Sequence, residues 1–325
     1  MGVEQEAVVG KKVLVLGVGG LFGRGLSYIL AKNNEVHGLD LFPKPEVLKE
    51  VDQWCSKLWT VDCSEPHCLR DIPRDYDVVY NEAVAWGHGR AMDWSLFADL
   101  TRINSFFPGQ VMEHFGPTGA QLVFGATGGC YVASKNRYDL HKEGVTMSEG
   151  GVHPYDDTKL GGEMLVNYFS AEHKIPAVIL RYYWPAAPYG AGGRAARTAR
   201  SFLAGKPTKV SRKNPWYHSV GYISDMIYAT IAAANQAACP APLYNVTGAA
   251  VANYMEVDEL VAKELGMEPL WEEVERERDM PMYIADVTRM SNDLWRPRVG
   301  LEECVRRCIR AIKEDIRTPQ DWMFE

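Results

Sequence analysis

No stretch of this chain holds the roughly 18–20 consecutive apolar residues that span a bilayer, so no membrane partner is expected. The first ten residues carry Glu4 and Glu6 but no Lys or Arg, which reads against a secretory leader with a basic start. Excess positive charge is also missing. Lys and Arg number 35 against 42 Asp and Glu, a net charge of −7, and the pI is near 5.7. Such a balance does not suggest a basic face to neutralise phosphates, which argues against nucleic acid as a partner. Cysteine is sparse and unpatterned. Cys55, Cys63, Cys68, Cys130, Cys239, Cys304 and Cys308 form no metal-site spacing; Cys304 and Cys308 lie four apart, but no second ligand pair follows. The expectation is no metal, no disulfide framework and a reduced, cytoplasmic setting.

What is present is an ordinary globular mix, 46% hydrophobic and 24% charged over 325 residues, enough for one large domain or a core with an appended lobe. The first half alternates strands and helices. Lys12–Leu16 is a short apolar run ending at Gly17, the mark of a buried parallel strand. A helix is expected from about Leu21 to Lys32 and a second strand over Glu35–Asp40. Further strands are expected at Lys57–Val61, Asp77–Tyr80, Gln121–Gly125 and Ala177–Arg181, and helices at Ser95–Phe115 and Tyr155–Glu172. This alternation implies an α/β doubly wound parallel sheet. After about Tyr182 the pattern loosens around Pro185, Pro188, Gly190, Gly192 and Gly193, with helices expected again at Met255–Leu265 and Leu301–Ile316.

Three separated pieces carry the chemistry. Gly17-x-x-Gly20-x-x-Gly23 stands at the first strand–helix junction. Glycines there permit a tight turn and a close approach to a pyrophosphate, which then faces a helix N-terminus. Asp40 ends the next strand, where an acid accepts hydrogen bonds from a ribose and repels a 2′-phosphate, favouring NAD over NADP; Lys44 nearby argues the other way. Thr127 follows the Gln121–Gly125 strand at the carboxyl edge, where a hydroxyl can meet a substrate oxygen or simply hold a turn. Tyr155 and Lys159 are one helical turn apart on a common face. Tyr28/Lys32, Tyr131/Lys135 and Tyr138/Lys142 share that spacing, so context must choose. Only Tyr155 opens a long helix, after His153-Pro154. A nearby ammonium and a cationic nicotinamide would favour its phenolate.

Taken together these segments resemble the extended short-chain dehydrogenase/reductases, the NAD-dependent epimerase/dehydratase family, from about Lys11 to Arg181, with fainter echoes beyond. Val15–Gly23 resembles the family's phosphate turn, which implies cofactor contacts at Gly17, Gly20, Leu21, Phe22 and Gly23. Val61-Asp62 resembles its adenine-contacting segment and Asn104 its structural Asn. Thr127-Gly128-Gly129-Cys130-Tyr131 and Tyr155-x-x-Thr158-Lys159-x-x-x-Glu163 are similar to its catalytic segments, and Tyr222–Asp225 and Tyr244–Val246 to later landmarks. The resemblance implies a Rossmann-type NAD-binding domain over 1–181, with later contributions from about 219–247, and a smaller substrate-binding lobe mainly over 182–325. It implies catalysis by Thr127, Tyr155 and Lys159, with Lys159 also holding the nicotinamide ribose. It also implies a homodimer through Ser95–Phe115 and Tyr155–Glu172.

Departures narrow the function. The family's 4,6-dehydratases place an Asp-Glu pair directly after the catalytic Thr, whereas Gly128-Gly129 follow Thr127 here, so dehydration by that route lacks its acid. Nucleotide-sugar epimerases usually read Arg-Tyr-Phe-Asn where this chain has Arg181-Tyr182-Tyr183-Trp184, and carry an Arg near the place of His218. Arg194, Arg197, Arg200 and Arg212 are either an anion clamp or a solvated basic face. Glu82, after Asn81, is either a substrate-binding group or a satisfied structural carboxylate. The loop Trp86-Gly87-His88-Gly89-Arg90 adds Trp86 and His88 as candidate substrate contacts, alongside Trp184 and His218. The leading expectation is an NAD-dependent oxidoreductase acting on a secondary alcohol or ketone of a small polar, sugar-like substrate. A sugar or nucleotide-sugar epimerase that retains NAD is the alternative. A non-enzymatic binding protein on the same scaffold is disfavoured by the intact Thr–Tyr–Lys set.

Overall fold

The computed structural model describes residues 8–86, 93–144, 153–190, 192–213, 215–275 and 282–325. Lys12–Leu16 forms β1 and Leu21–Leu30 forms α1. Next come β2 (Glu35–Asp40), α2 (Pro45–Val51), β3 (Lys57–Thr60) and β4 (Val78–Asn81). The helix expected over Ser95–Phe115 is three joined pieces: α3 (Trp94–Leu100), a π-helical turn (Thr101–Phe106) and α4 (Phe107–Phe115). The π turn carries Asn104. Its side chain exchanges hydrogen bonds with the Ala85 backbone, accepting from N–H at 2.9 Å and donating to the carbonyl at 3.1 Å, which one turn of regular helix would aim elsewhere. β5 (Gln121–Thr127), α5 (Pro154–His173) and β6 (Ala177–Tyr182) follow.

The main sheet has seven strands in the order Leu243–Val246, β6, β5, β4, β1, β2, β3. β1 pairs in parallel with both β2 and β4, β2 with β3, and β4 with β5. This is the Rossmann arrangement expected from the strand–helix alternation. Strand order reverses between β1 and β4, so a crevice opens outside their carboxyl ends, the usual ligand position in such sheets. Leu14, Leu16, Val79, Leu122, Phe124 and Ile179 from the sheet pack with Phe107, Val111 and Phe115 of α4, all buried.

The chain divides into two compact units. The first comprises 1–130, 147–181 and 227–244, and holds the sheet core just described. The second comprises 131–146, 182–226 and 245–325. Within it, strands Trp184–Ala186, Tyr217–Tyr222 and Ala250–Asn253 form a three-stranded sheet. Helices Gly193–Leu203, Tyr254–Leu265 and Leu301–Lys313 pack on one another. Buried Asp258 ties two of them together: it pairs with Arg194 and accepts from Thr198 and Thr208 at 2.7 and 2.6 Å.

Candidate active site

The glycine turn is built for close approach. Gly17 has φ +78°, and a Cβ there would lie 2.6 Å from the Ala83 nitrogen. A Cβ on Gly23 would lie 2.2 Å from the Gly17 carbonyl oxygen and 2.6 Å from Val18 Cα, so α1 can descend onto the turn only with glycine there. Gly20 is the N-cap of α1, with no side-chain cap and no acid in the first turn; Leu21 and Phe22 begin the helix. An anion would therefore meet the positive end of the helix without competition from a carboxylate. Asp40, at the end of β2, reaches back: its Oδ2 accepts from the Gly19 N–H at 2.9 Å and its Oδ1 from the Phe42 N–H at 3.2 Å. The acid holds the turn and keeps further lone pairs for a ribose. Asp62 follows β3, where its Oδ1 accepts from the Ser64 N–H at 2.8 Å. Turn, helix end and ribose acid together fit a dinucleotide.

Thr127 ends β5, and Tyr155 and Lys159 lie on the first turns of α5. His153 caps that helix by accepting from the Tyr155 N–H at 3.1 Å. Pro154 at the first position suits a helix start. Asn104 and Ser105 tie this helix to the π turn between α3 and α4, through Thr158 Oγ1 at 3.2 Å and the Thr158 carbonyl at 2.6 Å. Lys159 is buried, with its Nζ 4.9 Å from the centre of the Phe124 ring. Burial lowers its ammonium to about 8, and the Glu82 carboxylate opposes that shift. Glu82 follows β4 and donates its N–H to the Leu16 carbonyl at 3.0 Å. It thus stands at the β1–β4 reversal, electrostatically coupled to Lys159. Trp86 lies with its ring 4.3 Å from that of Tyr155.

Burial pushes Tyr155 above its ordinary range, and the Asp156 and Glu82 carboxylates act in the same direction. Burial foremost, with the nearby carboxylates, works against the phenolate, which a bound nicotinamide cation would favour.

Sequence reasoning missed Asp156. Its Oδ1 accepts from the Thr127 hydroxyl at 3.2 Å, and Thr127 Oγ1 in turn accepts from the Gly129 N–H at 3.1 Å. The available signal was its place beside Tyr155 in the first turn of α5, opposite the glycine pair after Thr127.

The remaining candidates divide. Trp184 and His218 belong to the second unit. There His218 stacks on Trp184 at 4.2 Å, with Trp216 at 4.3 Å. Both its ring nitrogens are buried without a partner among the described residues, and burial lowers it to about 3, so the ring is neutral. His88 lies outside the described residues. Of the four arginines, Arg197, Arg200 and Arg212 are exposed, while Arg194 is bound to Asp258.

The sequence model of the "NAD dependent epimerase/dehydratase family" matches residues 13–247. The chain belongs to that family. It is an NAD-dependent enzyme, and the glycine turn, uncapped helix and Asp40 could hold NAD. Among solved structures, this family member is similar to a UDP-glucuronic acid 4-epimerase from Bacillus cereus in complex with UDP-glucuronic acid and NAD, at 24% identity and TM-score 0.81, over 93% of this chain and 99% of that one. It is also similar to an ADP-L-glycero-D-manno-heptose-6-epimerase from Helicobacter pylori (19%, TM-score 0.80, 94% and 96% covered). A dTDP-glucose 4,6-dehydratase from Bacillus anthracis in complex with NAD shows the same fold (16%, TM-score 0.78, 94% and 97%). No curated protein sequence matches.

Proposed function

We propose that this enzyme interconverts a secondary alcohol and its ketone in a small polar, sugar-like substrate by hydride exchange with NAD. The observation that carries this is the placement of Thr127, Tyr155 and Lys159 in one unit with the glycine turn, Thr127 tied to the head of α5 at 3.2 Å. NAD, when bound, supplies the hydride acceptor. Tyr155 moves the hydroxyl proton, Thr127 hydrogen-bonds the same oxygen, and Lys159 holds the nicotinamide ribose. Glu82 and Trp86 border that oxygen.

Epimerisation of a nucleotide sugar is the second reading, favoured by the bound UDP-glucuronic acid and NAD of the Bacillus cereus neighbour. Incubation of the enzyme with NAD and UDP-glucuronic acid, UDP-glucose or the free sugars separates the two. Accumulating NADH marks a dehydrogenase; an altered sugar stereocentre without NADH, read by proton NMR, marks an epimerase. Neither change with any sugar would remove the proposal.

Asp40→Ala is expected to weaken NAD binding and to relax discrimination against NADP, since the repelling carboxylate is gone. Titration of nicotinamide fluorescence with NADH and NADPH measures both. An unchanged preference would mean that Lys44 or another residue decides it.

The enzyme is also proposed to be a homodimer. Trp94, Phe97 and Phe106 on one helical segment, and Met164 and Tyr168 on α5, are exposed apolar side chains on helices that pack together, more than a lone solvent face normally carries. Light scattering should report twice the chain mass; a monomer at every concentration would refute it.

A further inference from the structure

Gly128-Gly129 reads in the sequence as an acid missing beside Thr127. In the fold an acid arrives from the other side. A Cβ on Gly129 would lie 2.1 Å from Asp156 Oδ1 and 2.4 Å from its Cγ, so the Asp156 carboxyl occupies the space that any side chain at 129 would need. There it takes the Thr127 hydroxyl at 3.2 Å, while the Gly129 N–H fills one of the two acceptor positions on Thr127 Oγ1 at 3.1 Å.

We propose that Asp156 is a positioning residue for Thr127, its protonation state deciding whether the Thr127 hydroxyl donates to the substrate oxygen or accepts from it. The hydrogen-bond inventory forces this choice. A hydroxyl has one proton and two acceptor positions. When Asp156 is ionised it can only accept, so it holds the Thr127 proton, and the remaining acceptor position on Oγ1 faces the substrate. That state suits an alcohol, which has a proton to give. When Asp156 is neutral, its own O–H fills that acceptor position, and the Thr127 proton turns toward the substrate. That state suits a ketone, which can only accept. No bond forms or breaks beyond the single protonation of the carboxyl.

The surroundings place this change in an accessible range. Burial raises the Asp156 carboxyl to about 6, opposed by the Thr127 hydrogen bond and by any protonation of the His153 ring, and supported by Asp157. Tyr155 on the same helix and Cys130 in the turn after β5 are the other titratable groups coupled to it. Both have their own ionisation raised by burial, so they are uncharged where Asp156 titrates. The carboxyl is thus neutral below its midpoint and ionised above it.

The proposal rests on Thr127 meeting the substrate oxygen, so its test has one arm that needs no substrate. In NAD-loaded protein labelled with ¹³C at aspartate carboxyl carbons, Asp156→Asn identifies the Asp156 signal by its loss. Thr127→Val, which keeps the side-chain shape, should then shift the Asp156 midpoint upward by removing the hydrogen bond to the ionised form. An unmoved midpoint would overturn the contact. The second arm is the pH profile of kcat on UDP-glucuronic acid or UDP-glucose. If the enzyme epimerises, wild-type kcat should fall about tenfold per pH unit above the Asp156 midpoint, because hydride return to the ketone needs Thr127 as donor; if it makes a net oxidation of the alcohol, kcat should instead fall below that midpoint. Asp156→Asn cannot ionise and should lack that limb. A limb that persists in Asp156→Asn would overturn the switch. If no sugar nucleotide turns over, the functional reading fails by itself and the carboxyl titration still decides the Thr127–Asp156 contact.

Discussion

Tyr155→Phe is expected to cut turnover by about 10²–10⁴, the usual share of one acid–base group, while leaving NAD affinity nearly unchanged. The substitution removes only the hydroxyl. The ring keeps its place 4.3 Å from the Trp86 ring, and the helix keeps its His153 cap, which holds the backbone N–H rather than the side chain. Lys159 stays buried one turn away, so the ribose contact proposed for it survives. Steady-state kcat together with NAD titration separates the two effects. Undiminished turnover in the variant would transfer the role to another tyrosine, and the structure leaves poor alternatives. The Tyr131 hydroxyl is buried and donates to Asn245 Oδ1 at 2.9 Å. Tyr138 is 83% exposed. Tyr28 packs edge-on to Trp54, with Lys32 5.0 Å over its ring. Four pairs share one spacing, and only Tyr155 stands at the head of a helix beside a strand-end hydroxyl.

That contrast shows what was legible in the sequence and what was not. Local rules carried the glycine turn, because a strand, a sharp turn and a helix start are all written within Lys12–Leu30. The sheet followed from apolar runs, since β1, β2, β4, β5 and β6 each bury nearly every residue. The short α2 escaped notice because seven residues of mixed Pro, Glu, Val, Leu and Lys give no clear periodicity. The π turn escaped because its cause is remote: Asn104 answers to Ala85 and Thr158. Asp156 was hidden in the same way. Its partner Thr127 is 29 residues earlier, and the glycines that make room for it look like an absence when read along the chain. Arg194 looked like one of four surface cations until Asp258, 64 residues away, claimed it. Through-space partners of charged groups are the part of a site that spacing does not encode.

Glu163→Ala is expected to cost about 3–5 kcal/mol of stability, because it leaves the Arg181 guanidinium buried without its carboxylate. Arg181 Nε donates to Glu163 Oε2 at 2.9 Å and Nη2 to Oε1, a two-pronged pair between the end of β6 and the middle of α5. Both residues are at most 5% exposed, so water cannot replace the lost partner. At roughly 2–4 °C per kcal/mol for a unit of this size, the Tm should fall by about 6–20 °C. Replacing both partners, as in Glu163→Leu with Arg181→Met, should restore most of the loss, since an apolar pair of similar volume often matches a buried ion pair. Thermal unfolding of the single and double variants tests this. A single-variant loss under about 1 kcal/mol, the range of exposed pairs, would show the pair to be solvated and dispensable. The functional consequence is carried by the helix. Glu163 lies one turn beyond Lys159 on α5, so the ion pair that fixes α5 against β6 also fixes the height of Lys159 and Tyr155 relative to Thr127. Glu163→Ala protein that remains folded below its lowered Tm should therefore lose kcat as well, with the double variant recovering both together.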